Sequence, residues 1–350
     1  MKPCIDINGR FIGTDYPAYI IAELSANHRQ KFDEAVKLIE TAKEARADAV
    51  KLQTFTPDTL TISSDKECFR INDGTPWDGR TLYDLYQEAC MPWEWQPKLK
   101  KLADGLGISL FSTPYDKTAV DFLEEMEVPA YKVASFEIVD IPLIEYIASK
   151  GKPVIMSTGM AESDEINEAV QSAHNAGNSQ VALLKCTSAY PASPEEMNLR
   201  AIPHMAETFG VPIGLSDHTL GVAVPVAAVA LGACLIEKHL TLSRDIPGPD
   251  SAFSSEPEEF KAMVTAIRNT GKALGNERYA AGKQETRSRV FRRSLFVVKD
   301  IKKGEVFTEE NVRSIRPGHG MHPRHLKDVL GRRAALDIER GTPLTRELIG

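Results

Sequence analysis

Short, β-rich apolar runs recur along most of the chain, with helix-patterned segments between them. The runs occupy residues 19–23, 49–53, 109–112, 131–134, 154–157, 181–186, 213–216 and 234–239. Continuous short apolar runs suit strands buried on both faces. The intervening segments carry amphipathic helical spacing, as at 32–45, 93–106, 118–125, 141–149, 164–175 and 222–231, and residues 257–274 form the last helix of the series. Eight such βα units predict an α/β fold, a (β/α)8 TIM barrel. A doubly wound open sheet is the rival architecture. Ahead of the repeat, Asn8-Gly9 separates two short apolar stretches. That dipeptide favours a two-residue hairpin turn, here read as a plug beneath the barrel. The long stretch 57–93, with its Pro, Gly, Trp and Tyr, reads as a lid or binding loop.

Beyond residue 275 the pattern changes. Residues 275–293 are polar and basic, and short β segments with Gly turns follow to the end. The expected division is therefore a barrel over 1–280 with its N-terminal hairpin, a linker over 281–293, and a small β-rich domain over 294–350.

Composition narrows the partners. The 350 residues carry 42 basic and 49 acidic side chains, a net charge of −7. No long basic run appears, so nucleic acid is not an expected partner. No apolar stretch approaches the roughly 20 residues of a membrane span, and no signal-peptide pattern opens the sequence. The five cysteines are scattered, odd in number and lack metal-binding spacing. These features predict a cytoplasmic protein with reduced thiols.

A barrel carries its site on the loops after its strands. The residues at those ends form a polar ring, in strand order: Glu23, Asn27 and His28; Lys51 and Gln53; Ser112 and Thr113; Lys132, Ser135 and Glu137; Ser157; Lys185, Ser188 and Tyr190; Ser216 and His218; Glu237, Lys238 and His239, with Asp250 in the next loop. Side chains alternate along a strand, so Glu237 and His239 share a face and Lys238 points the other way, to the helices or to solvent. Lys51 and Lys132 with neighbouring hydroxyls make an anion cradle for phosphate or carboxylate. His218 and His239 at neighbouring strand ends suit a divalent ion such as manganese or magnesium, with water and substrate oxygens completing its shell. His174, His204 and the tail histidines His319, His322 and His325 read as surface or loop residues.

Several motifs resemble those of the sialic acid synthase family, enzymes that condense phosphoenolpyruvate with an amino-sugar. They include Ile21-Ala-Glu-Leu-Ser-Ala-Asn-His28, Lys51-Leu-Gln53, Phe111-Ser-Thr-Pro114, Tyr131-Lys-Val-Ala-Ser-Phe-Glu137, Leu215-Ser-Asp-His-Thr219, Glu237-Lys-His239 and Gly248-Pro-Asp250. The tail, with Arg292-Arg-Ser-Leu295 and Arg316-Pro-Gly318, resembles the antifreeze-like SAF domain. Within the family the closer resemblance is to pseudaminic acid synthases, carried by Leu24-Ser-Ala-Asn27, Leu82-Tyr-Asp-Leu-Tyr-Gln-Glu-Ala89 and Pro92-Trp-Glu-Trp95. Ser188 departs from the Asn of N-acetylneuraminate synthases, which fits a deoxygenated sugar.

The resemblance implies that Lys51, Thr113, Lys132, Ser135, Ser157 and Ser216 hold phosphoenolpyruvate and that His218 and His239 bind the metal. It implies that Glu23, Gln53, Tyr190 and Asp250 contact the sugar, its aldehyde or the metal's water. Asn27 and Ser188 join the substrate-binding set, and Glu137 or Glu23 is the candidate base. Arg316 would reach from the SAF domain into a partner subunit, making a swapped homodimer. The expected function is pseudaminic acid synthase. N-acetylneuraminate or legionaminate synthase, or a sugar-binding homologue without catalysis, are the alternatives.

Overall fold

The structure is a computed structural model that describes residues 2–72, 74–75, 77–275, 279 and 282–350. The chain divides into two compact units, Met1–Gly275 and Asn276–Gly350. The expected barrel boundary at 280/281 lies outside the described residues.

The first unit opens with a hairpin, β1 (Ile5–Ile7) and β2 (Arg10–Ile12), in register Ile7 to Arg10. Asn8 and Gly9 take φ of 54° and 77°, the paired positive values of a type I′ turn. Ile5, Ile7 and Ile12 are buried in the main core. Asn8 donates to Ser109 and the Asp6 amide to Gln180, residues at the starts of strands. The hairpin therefore closes the N-terminal end of the barrel.

Eight strands follow: β3 (Tyr19–Glu23), β4 (Ala49–Thr54), β5 (Ser109–Pro114), β6 (Tyr131–Val133), β7 (Val154–Ser157), β8 (Val181–Cys186), β9 (Ile213–Asp217) and β10 (Leu235–His239). They pair in parallel in chain order, and β10 closes on β3. Closure excludes the open doubly wound sheet. Each strand is almost wholly buried, because the barrel interior covers one face and the helices cover the other.

The helices are α1 (Phe32–Glu44), α2 (Pro57–Leu60), α3 (Leu82–Ala89), α4 (Gln96–Leu106), α5 (Lys117–Glu125), α6 (Ile141–Ala148), α7 (Ser163–Asn175), α8 (Ala201–Phe209), α9 (Ala223–Ala230) and α10 (Pro257–Leu274). Stretch 57–93 is more ordered than a bare loop. Thr56 caps α2 by accepting from the Thr59 amide, and Thr81 caps α3 by accepting from the Asp84 amide. Among the described residues no helix is long and apolar enough to cross a membrane.

The second unit has its own core of Leu295, Val297, Ile301, Phe307, Val312, Val329, Ala334, Ile338 and Leu344. Its antiparallel pair is β11 (Ser294–Val297) with β12 (Val312–Ile315). Single bridges such as Ile301 to Ile338 and Val306 to Arg333 hold the rest. The chain thus combines an eight-stranded parallel barrel with a separate small β-rich domain.

Candidate active site

A cavity of about 440 Å³ sits at the C-terminal ends of the barrel strands. Register puts its charged groups side by side. Glu23 pairs with Lys51 across β3 and β4, and with His239 across β10 and β3. Glu237 pairs with Ser216 across β10 and β9. Residues so paired share one face of the sheet, and here that face is the barrel mouth.

Lys51 organises this floor. Its Nζ lies 3.1 Å from Glu23 Oε2 and 3.2 Å from Glu237 Oε1, and donates to Thr113 Oγ1 at 3.3 Å. Two carboxylates thus share one ammonium, and they do not titrate alike. Burial first, and then the nearby charge of Glu237, lift Glu23 to about 8 against the pull of Lys51. Burial opposes ionisation of Glu237 too, but Lys51 and Lys132 outweigh it and hold that group below its ordinary value. Lys51 itself is raised: burial would lower it, but Glu23 and Glu237 prevail. Near neutral pH the trio therefore holds a protonated Glu23, an ionised Glu237 and a charged Lys51.

Lys132 is 1 % exposed and donates to Ser157 Oγ at 2.6 Å and to the Val133 carbonyl at 2.8 Å. Burial lowers it to about 8, despite the field of Glu237. Glu137 is lifted to about 7, chiefly by burial, with Lys132 pulling the other way. Among the described residues Glu23 Oε1, Glu137 Oε2 and Glu237 Oε2 are buried with no hydrogen-bond partner. Buried acceptors without partners are uncommon, and in a cavity wall they are positions for a ligand's donors.

His218 and His239 stand together with ring centroids 5.3 Å apart. Nδ1 of His218 lies 3.0 Å from the Thr187 carbonyl. A carbonyl can only accept, so that nitrogen carries the proton and Nε2 keeps its lone pair in the neutral ring. Nδ1 of His239 is buried without a partner. Burial first, then the charge of His218 and Lys51, holds His239 well below its usual value, so it stays neutral. Burial would lower His218, but Cys186 and the Thr187 carbonyl prevail and hold it above its ordinary value; once its second proton is lost, the pair fits a divalent cation that takes its other ligands from water and substrate. Among the described residues no group of three or more His, Cys, Asp and Glu side chains is placed to hold an ion.

The remaining expected residues divide. Gln53, Ser135, Ser157, Tyr190, Ser216 and Asp250 line the cavity with Glu23, Lys51, Lys132, Glu137, His218 and His239. Asp250 accepts from the Ser25 hydroxyl and the Ala26 amide. Tyr190 packs on His218, Phe253 and Trp77 at 4.5, 5.0 and 5.5 Å between centroids. Asn27, Thr113 and Ser188 are not among the described cavity-lining residues. The Asn27 amide donates to the Leu240 carbonyl and Ser254 Oγ and fastens the turn after β3 to the loop after β10. Thr113 stands behind Lys51. Ser188 packs so closely on Gly159 that a Cβ there would meet its Oγ at 2.2 Å. Arg316 lies exposed in the second unit. Lys238 points away from the mouth, as alternation requires, but meets neither helix surface nor solvent: it is buried against Asp217.

Glu237 and Cys186 are among the wall residues to which the sequence assigned no role. Glu237 had a legible signal, since it shares a strand face with His239. Cys186 did not; the β8 register places it beside Ser216, and its thiol is held at about 7, where burial is outweighed by His218.

The pattern of the NeuB family matches residues 38–279, and that of the SAF domain matches residues 292–349. Pseudaminic acid synthase of Campylobacter jejuni (strain 81-176) is 47 % identical over 331 residues, covering 95 % of this chain and 96 % of that protein. Pseudaminic acid synthase of Helicobacter pylori is 45 % identical, covering 95 % and 97 %. Among solved structures, N-acetylneuraminic acid synthetase of Leptospira borgpetersenii, in complex with citrate, superposes with a TM-score of 0.74 at 32 % identity. The match covers 82 % of this chain and 95 % of that one.

Proposed function

The chain belongs to the NeuB family, and on that premise we propose that it is a pseudaminic acid synthase. It condenses phosphoenolpyruvate and water with 2,4-diacetamido-2,4,6-trideoxy-β-L-altropyranose, giving pseudaminate and phosphate. One observation carries the reading. Lys51, Lys132, two carboxyls of opposite protonation and two adjacent imidazoles share one cavity, in a chain 47 % identical to a pseudaminic acid synthase.

Lys51 and Lys132, with Thr113 behind Lys51 and the hydroxyls of Ser135, Ser157 and Ser216, hold the phosphate and carboxylate of phosphoenolpyruvate by charge-assisted bonds. Gln53, Tyr190 and Asp250 bind the open-chain sugar, and Asn27 and Ser188 set the loops around it. His218 and His239 would hold a divalent ion such as manganese or magnesium. When bound, it would supply Lewis-acid polarisation of the sugar's carbonyl oxygen.

The chain's own residues move the protons. C3 of phosphoenolpyruvate forms a bond to C1 of the sugar, and protonated Glu23 delivers its proton to the former aldehyde oxygen. Water adds its oxygen to C2 while ionised Glu137 takes the proton released. The C2–O bond to phosphate then breaks, the new C2 hydroxyl gives up its proton to the departing group, and C2 becomes a ketone. Lys51 and Lys132, both buried, stabilise the charge that builds on the leaving phosphate.

Arg316 of one copy completes the site of a partner subunit in a swapped homodimer. Its exposure in a small domain of its own supports that role.

Phosphate release, assayed with each candidate sugar and a supplied divalent metal, tests the assignment. Turnover is expected with the trideoxy altrose. Turnover with N-acetylmannosamine alone would reject it.

A further inference from the structure

The cavity has two unlike sides. Its floor is built from strand ends and carries Glu23, Lys51, Lys132, Glu237 and the two imidazoles. Its roof comes from the stretch after β4, where Leu60 of α2, Ile71, and Leu82 and Leu85 of α3 line the same space.

Several polar groups of that stretch are bonded elsewhere. Trp77 Nε1 donates to the Pro249 carbonyl at 2.9 Å, which ties the roof to the loop after β10. The Thr75 hydroxyl donates to Asp78 Oδ1 at 3.1 Å, and Asp78 also accepts from the Gly74 and Thr75 amides. Arg70 NH2 donates to Asp65 Oδ1 at 3.3 Å, and the Tyr83 hydroxyl donates to Asp58. Those polar atoms pin the roof, and beside Cys68 and Tyr86 it offers the cavity the aliphatic carbon of Leu60, Ile71, Leu82 and Leu85.

Orientation of the acceptor follows, given the reading above, on which this inference rests. The sugar's C1 must meet C3 of phosphoenolpyruvate among the floor lysines. Its far end, C6, then points away from the strands, toward the roof. Against those four side chains a hydroxymethyl group would lose water and gain no partner, whereas a methyl group would only gain contact. We infer that Leu60, Ile71, Leu82 and Leu85 form the specificity element of the acceptor subsite, and that they select a sugar ending in methyl over one ending in hydroxymethyl.

An aliphatic pocket rejects an added hydroxyl only moderately, so the ratio of kcat/KM for the trideoxy sugar to that for its 6-hydroxy analogue should be on the order of 100. The experiment measures phosphate release at saturating phosphoenolpyruvate for both sugars, with the full-length protein and with Leu82→Asn. The variant supplies a donor and an acceptor to the roof, and its ratio should fall about tenfold or more. Leu60→Asn, on a separate helix, repeats the test should Leu82→Asn fail a thermal-unfolding check. Wild-type protein that turns over both sugars equally would overturn the inference and leave the synthase assignment standing. So would folded variants that keep the wild-type ratio. Absence of phosphate release with every sugar would instead reject the assignment, and this inference with it.

Discussion

Asp217 and Lys238 form an ion pair sealed inside the barrel wall, with Nζ 2.5 Å from Oδ2 and both side chains almost wholly buried. They are register neighbours on β9 and β10, and each is next in sequence to a histidine of the mouth, His218 or His239. The Asp217 carboxylate also accepts from the Thr219 amide and hydroxyl, and Lys238 donates to the Thr219 carbonyl. The outward pair thereby fixes the strand ends that present the imidazoles inward.

Asp217→Asn should therefore be strongly destabilising, by about 3–5 kcal/mol, because it leaves the Lys238 ammonium buried without its counter-charge. Replacing both residues together, Asp217→Leu with Lys238→Met, should recover much of that loss. Urea unfolding of the three proteins measures this. A single variant as stable as the wild type would show that the pair does not hold the strand ends.

The pair also shows how far a sequence can be read. Period-two alternation separates Lys238 from His239 and puts Glu237 on the face of His239. What it could not supply was the partner, because strand register is a property of the closed barrel and not of either strand. The same limit hid the trio of Lys51, Glu23 and Glu237, whose members come from three strands. The strand positions themselves were legible, since burial on both faces leaves continuous apolar runs. Turns were harder. Asn27 looks like a site residue from its position after β3, but it sits in a 3-10 turn, Ser25–His28, that aims its amide at Leu240 and Ser254. Helix α3 was hidden because a short amphipathic helix inside a loop rich in Pro and Gly gives a weak periodic signal.

His239→Ala removes one of the two imidazoles and should abolish metal-dependent turnover, at a cost of several kcal/mol in the barrier if the ion acts as a Lewis acid. Chelation should silence the wild type and leave the variant unchanged. Binding of manganese alone, followed by isothermal titration, should weaken in parallel. A wild-type protein that keeps full turnover under strict chelation would refute the metal role.

Arg316→Ala tests the contribution of the small domain. The residue lies outside the core of that domain, so its removal should leave the unfolding transition where it was. The value of kcat/KM should nevertheless fall by about tenfold to a hundredfold, as expected for loss of a charged hydrogen bond worth roughly 1.5–3 kcal/mol. Deleting everything after Arg293 should likewise abolish activity. A folded, fully active barrel after that deletion would reject the role assigned to Arg316.

The floor's protonation states predict a bell-shaped pH profile for kcat/KM, the quantity that reports groups of the free enzyme. Glu137 must be ionised to take a proton from water, so activity should rise as pH passes about 7. Glu23 must be protonated to give one up, and Lys132 must be charged to hold phosphate; both are lost as pH passes about 8. The acidic limb thus reports Glu137, together with loss of the His218 proton where a metal binds, and the alkaline limb reports two residues. Glu137→Gln should remove its part of the acidic limb, with a loss of activity of about 10²–10⁴-fold. Lys132→Arg should keep its charge across the range and leave an alkaline limb that reports Glu23 alone. Stopped-flow or continuous phosphate assays from pH 6 to about 9.5, spanning the ranges in which these groups ionise, would record the limbs. A Glu137→Gln enzyme with an unchanged rate and an unchanged acidic limb would show that another group accepts the proton.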